Sequence, residues 1–149
     1  MIIREALEVD IIKASRLWLE MVAEMRPDFT PNVEWWRKIA ATSMRSGDYF
    51  MIVADDGGKV VGFLDWFMFP EPSTGKVHAV GQHLFLRPEF RGTGIGRSLY
   101  EKGIEMVKKQ GILTIDMFCF DNEKQMWEKR GFVPLRTLLR KNLQEARHV

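Results

Sequence analysis

The sequence predicts one mixed α/β (α+β) domain over residues 1–149, with a mostly antiparallel central sheet, one parallel, splayed strand pair and helices on both faces. Three observations predict it. Two amphipathic helical stretches stand early in the chain. A turn at Asp55-Asp56-Gly57-Gly58 joins two strand-like runs as a hairpin. Later, a strand, a glycine-rich turn, a helix and a second strand follow one another, an order that calls for a parallel pair joined by a crossover.

The elements follow in order. Residues 1–4 read as a short strand. A helix over 9–25 carries Ile11, Ala14, Trp18, Met21, Val22 and Met25 at helical spacing and stops at Pro27. A second helix over 32–44 carries Trp35, Trp36, Ile39 and Ala40 and ends at Ser46-Gly47-Asp48. Strands over 49–54 and 60–69 flank the turn, whose glycines accept positive φ. Pro70 to Gly75 is a loop or hairpin tip, not a domain boundary. Val77–Leu86 is the next strand. A helix over 96–110 puts Ile95, Leu99, Gly103, Met106 and Val107 on one face and is capped by Gly111. Residues 112–120 read as a central strand, 123–130 as a short helix ended by Gly131, and 132–143 as room for one or two final strands.

Composition bounds the function. A chain of 149 residues with 46% apolar and 28% charged residues suits one soluble domain. No run approaches about 18 apolar residues, so no membrane partner is expected. The opening, with Arg4, Glu5, Glu8 and Asp10, lacks the apolar core of a secretory signal. With a single cysteine, Cys119, this points to the cytoplasm. His78, His83 and His148 form no H-x-x-x-H pair, so no metal is expected. A net charge of +2 without a nucleic-acid motif gives no expectation of nucleic acid.

The most informative segment is Arg91, Gly92, Thr93, Gly94, Ile95 and Gly96, with Arg87 and Arg97 close by. Glycines remove the Cβ atoms that keep a phosphate from the backbone, and N–H groups at a helix N-terminus then point at the anion. Arg91 and Arg97 flank the turn and can add charge-assisted hydrogen bonds. The spacing rejects a dinucleotide fingerprint, because the third glycine position is Arg97, and rejects a Walker loop, which needs a lysine.

The spacing R-x-x-G-x-G, led by Pro88-Glu89-Phe90, resembles the motif of the GNAT superfamily of acyl-CoA-dependent N-acyltransferases. Trp127-Glu128-Lys129-Arg130-Gly131-Phe132 is similar to that family's late signature, and Ile3-Arg4-Glu5-Ala6 with Asp10 to its start. The resemblance covers nearly the whole chain. It implies acetyl-CoA as cosubstrate and direct attack by an amine acceptor. It implies that the loop with Arg97 holds the pyrophosphate, and that the backbone of Leu84, Phe85 and Leu86 pairs with the pantetheine arm. A backbone N–H near Leu84 or Phe85 would meet the developing oxyanion. Asn122 and Trp127 would reach the pantetheine; Asp121 or Asn122 as a helix cap and Trp127 as core are equally open readings. Aromatic residues Phe29, Trp35 and Trp36, with Glu20 and Glu24, would wall the acceptor pocket, though core packing explains the tryptophans as well. Similar proteins are commonly homodimers, but nothing places an interface.

Two positions depart from the family pattern. Val80 stands at the usual glutamate base and Trp127 at the usual tyrosine acid. His83 is the candidate catalytic base, because imidazole titrates near neutrality; Asp65 and Glu71 are weaker candidates. The alternative function is a non-catalytic acyl-CoA-binding or sensor domain on the same fold.

Overall fold

A strand whose residues alternate between two apolar faces needs cover on both sides, and the middle strands of this chain are of that kind. The computed structural model describes residues 1–144; His148 lies outside them. The chain divides into two units, Met1–Phe118 and Cys119–Val149. The first carries β1 (Ile2–Glu5), α1 (Asp10–Met25), α2 (Val33–Ser46), β2 (Tyr49–Asp56), β3 (Lys59–Pro70), β4 (Val77–Leu86), a 3-10 turn at Pro88–Phe90, α3 (Ile95–Lys109) and β5 (Ile115–Met117). The second carries α4 (Asp121–Glu128).

The strands form one sheet in the order β1-β2-β3-β4-β5. All neighbours are antiparallel except β4 and β5, which are parallel. On one face Tyr49, Met51, Val53, Phe63 and Phe85 pack with Ile11, Leu17, Trp18, Met21 and Val22 of α1. On the other, Ile52, Ala54, Val61, Leu64, Trp66 and Ala79 pack with Leu99, Met106 and Val107 of α3. At Gly103 the approach is close: a Cβ there would lie 2.6 Å from Trp66 Cη2 and 2.7 Å from Leu64 Cδ2.

An ion cluster pins the start of α1 to the sheet. Arg4 reaches Asp10 at 2.7 and 3.0 Å and Asp55 at 2.9 and 3.2 Å. The Leu7 N–H donates to Asp10 at 2.8 Å. The Arg4 hydrogen bonds hold both carboxyls below their ordinary range.

Two ladders carry one extra residue. Between β2 and β3 it is Val61, and between β3 and β4 it is Gln82. Such bulges bend a strand and re-aim the side chains beside them.

Four expectations are corrected. Residues 112–120 do not form one strand; only Ile115–Met117 pairs, with Ala79, Val80 and Gly81. The helix that follows begins at Asp121 rather than 123, favoured by acidic residues in its first turn. Its N-cap is Phe120, whose N–H donates to Glu123 at 3.0 Å, so Asp121 and Asn122 lie inside the helix and do not cap it. Among residues 132–144 there is no strand. Pro134 removes a ladder donor there, and Leu135, Leu138, Leu139 and Leu143, all exposed, keep no period of two. Among the described residues no helix is long and apolar enough to cross a membrane.

Candidate active site

The glycine turn forms as its residue types require. Gly92 and Gly94 adopt φ of 73° and 86°, a region that other residues enter at a cost. Thr93 closes the turn with a hydroxyl bond to the Phe90 carbonyl. Gly94 is the N-cap of α3, and the first N–H of that helix to find a carbonyl is that of Ser98, bonded to Gly94 at 3.0 Å. The N–H groups of Ile95, Gly96 and Arg97 precede it and have no acceptor inside the helix. Gly96 has ordinary helical geometry, and a Cβ there would meet nothing within 4 Å. Neither backbone strain nor packing asks for glycine at this place, so its effect is open room before the N-terminus, where the macrodipole favours an anion.

The arginines around the turn are engaged elsewhere. Arg91 donates Nε to the Leu86 carbonyl at 2.8 Å and both terminal nitrogens to Glu24 at 2.9 Å, with its guanidinium over Phe85. Arg87 makes a similar fork with Glu20, at 2.7 and 3.0 Å. Arg97 reaches down its own helix to Glu101 at 2.7 Å. Two of the three arginines tie α1 to the end of β4, and the leading N–H groups of α3 add positive potential at the turn.

Beside the turn, β4 has an edge that no described strand pairs with. Pairing with β5 stops at Gly81, where Phe118 N–H donates to the Gly81 carbonyl. Arg87 N–H bonds Val61 of β3, while the Leu86 carbonyl meets Arg91 on the other side. Backbone groups of successive strand residues point to alternate sides, so the N–H and C=O of Leu84 face that edge. Phe85 faces β3 through its backbone and the α1 core through its side chain.

On the α1 face of the same strand, three side chains meet. His83 pairs directly across from Asp65, and its Nδ1 lies 3.0 and 3.2 Å from the two carboxylate oxygens. Tyr49, opposite Phe67 and so diagonal to Asp65, donates its hydroxyl to Asp65 Oδ2 at 2.7 Å. Tyr49 and Asp65 are each 1% exposed, while the His83 side chain is 27% exposed. Burial, and then the Asp65 charge, push the Tyr49 phenol well above its ordinary value, so it stays protonated and donates. Val80 lies on this face and is apolar and buried. A second pair, His78 Nδ1 and Asp116 Oδ2 at 3.2 Å, bridges β4 and β5.

The model of the acetyltransferase (GNAT) family matches residues 13–132. The chain belongs to the GNAT acetyltransferase family. It is 42% identical over 60 residues to an uncharacterised N-acetyltransferase of Archaeoglobus fulgidus, covering 37% of this chain and 38% of that one. Over 88 residues it is 31% identical to mycothiol acetyltransferase of Propionibacterium freudenreichii, covering 55% and 27%. The chain thus spans well under half the length of these relatives. Among solved structures, a predicted acetyltransferase with acetyl-CoA from Clostridium acetobutylicum superposes with a TM-score of 0.82 at 17% identity, over 99% of both chains. The GNAT fold expected from the motifs is therefore the fold found.

The late GNAT signature has a physical account in the second unit. Gly131, at φ 89°, ends α4. Its N–H donates to the Glu128 carbonyl at 3.0 Å and that of Phe132 to Trp127 at 3.2 Å. This is a Schellman cap, and the Trp127 ring against Phe132 at 5.5 Å is its apolar contact. Asn122 sits in the first turn of the same helix. Of the aromatics expected to wall an acceptor pocket, Trp36 stacks on Trp18 at 5.4 Å and packs into the core. Trp35 and Phe29 are exposed. An open, largely apolar cleft of about 380 Å³ runs beside Phe29, lined by Leu19, Val22, Ala23, Arg26, Pro27 and Pro31.

Proposed function

We propose that this chain transfers an acetyl group from acetyl-CoA to a primary amine of a small molecule or peptide, by direct attack, in the cytoplasm. One observation carries the reading: two positive-φ glycines open α3 beside a strand edge that β5 leaves unpaired. The family match runs from residue 13 to 132, across both units, which supports treating them as one acyltransferase domain.

In this reading the N–H groups from Gly92 to Arg97 hold the pyrophosphate, and the Leu84 edge pairs with the pantetheine arm. The Leu84 N–H faces that edge and is the donor for charge developing on the carbonyl oxygen. The amine nitrogen bonds the acetyl carbon as the carbon–sulfur bond breaks. His83 takes the amine's proton, and the sulfur leaves as thiolate.

The test is thiol release from acetyl-CoA across a panel of amines. Release with at least one amine is expected, and His83→Gln lowers kcat about 100-fold with the KM for acetyl-CoA unchanged. Tight acetyl-CoA binding without thiol release for any amine in a broad panel would favour a sensor domain and sink the enzymatic reading.

A further inference from the structure

The base proposed above is a side chain with a buried anchor. Counted from Val77, strict alternation puts Gln82 opposite Asp65; the extra residue in β4 puts His83 there instead. Directly opposed residues of an antiparallel pair hold their Cβ atoms about 5 Å apart, close enough for a side-chain hydrogen bond. Asp65 is buried, and a buried carboxylate must be satisfied. Tyr49 supplies one donor and His83 Nδ1 the other. A carboxylate can only accept, so Nδ1 carries the ring proton and Nε2 carries the lone pair of the neutral imidazole.

We propose that Asp65 and Tyr49 are positioning residues that hold His83 in the Nδ1–H tautomer, with Nε2 as the proton acceptor of the transfer reaction. This rests on reading His83 as the base. Asp65 stabilises the imidazolium that forms when Nε2 takes the proton, and the Tyr49 hydroxyl moderates that effect by drawing on the same carboxylate. Several ionisable groups on elements packed against β4 have partners of their own. On α1, Glu20 and Glu24 hold Arg87 and Arg91. On β5, Asp116 is held with His78. On α3, Arg97 pairs with Glu101, and Lys102 and Lys109 with Glu105.

The two anchors make opposite predictions. In Asp65→Asn, the amide oxygen keeps the Tyr49 bond and the amide NH₂ faces Nδ1, which must now accept. The ring changes to the Nε2–H tautomer, kcat falls about 100-fold, and the acidic limb of the pH–rate profile moves down. In Tyr49→Phe, the carboxylate loses a donor, His83 keeps its tautomer, and the limb moves up by less than about one pH unit. The measurements are ¹⁵N shifts of the His83 ring in the full chain, kcat against pH for each variant, and the KM for acetyl-CoA, which stays unchanged. A merely structural role for Asp65 moves no limb in opposite directions. If Asp65→Asn fails to fold, Tyr49→Phe carries the test alone. An unchanged tautomer in Asp65→Asn, or limbs that do not separate, overturns the positioning role. If the tautomer shifts as stated while His83→Gln keeps full kcat, the anchoring stands and the base assignment falls.

Discussion

The glycine turn and the His83 cluster lie on one strand and its outlet, yet they are made of different things. The turn is built from backbone: two glycines at positive φ, leading N–H groups of α3, and room where Gly96 has no side chain. The cluster is built from side chains of three strands, Tyr49 on β2, Asp65 on β3 and His83 on β4. A backbone site needs only its local residues to be right. A side-chain site needs the register of the whole sheet.

The sharpest way to break this contrast is to spoil the turn without touching the cluster. Gly96→Glu sets a carboxylate before the N-terminus of α3. The KM for acetyl-CoA should rise about 100-fold, about 2.7 kcal/mol, while kcat at saturation changes little. A fall in kcat with unchanged KM would show that the turn belongs to the chemistry rather than to cofactor binding.

A side-chain cluster outside the proposed chemistry is the fitting control for His83, and Arg4 with Asp10 and Asp55 is one. Asp10→Asn should cost about 2 kcal/mol in urea denaturation and leave kcat unchanged. The pH dependence has a definite sign. The folded-state pKa of Asp10 is depressed, so its contribution is complete above the ordinary carboxylate range and is lost as pH falls through the depressed value. The stability gap between wild type and Asp10→Asn should therefore be constant above about pH 5 and close in acid.

Two glycines of α3 separate room for a ligand from room for packing. Gly103→Ala drives a methyl against Trp66 and Leu64 and should destabilise by about 1.5 kcal/mol. Gly96→Ala should stabilise the helix by up to about 1 kcal/mol yet weaken acetyl-CoA binding. Thermal melts with and without acetyl-CoA read both, and tighter binding by Gly96→Ala would refute the open-room account.

The smallest effect is expected at Glu24. Its pair with Arg91 is about half-exposed, so Glu24→Gln should cost less than about 1 kcal/mol. Acetyl-CoA affinity should stay within about threefold if, as proposed, backbone N–H groups hold the pyrophosphate. A larger gain in affinity would mean that Glu24 competes for the Arg91 charge.

Legibility in the sequence follows the same division. Residues 91–97 could be read as an anion turn because glycine spacing is local, and Val77–Leu86 matches the expected strand end to end. The acid partners of Arg87 and Arg91 could not be read, since each lies 67 residues away. Asp65 was a weak candidate because nothing in the chain announces that Gln82 is skipped and that His83 therefore faces it. Residues 132–143 looked like strand from composition alone, but a strand also needs a ladder. Trp127 was open between ligand contact and core, and its bond pattern with Gly131 and Phe132 supplies a third role, that of closing a helix.

The unpaired Gln82 also carries a lesson about how such a strand can change length. Partners on either side of it are in register with β3: Gly81 with Trp66 and His83 with Asp65. Removing Gln82 would leave a regular ladder with every one of those neighbours kept. One codon could therefore be gained or lost here without rewiring the sheet, altering the bend beside His83 while its neighbours across the ladder stay the same.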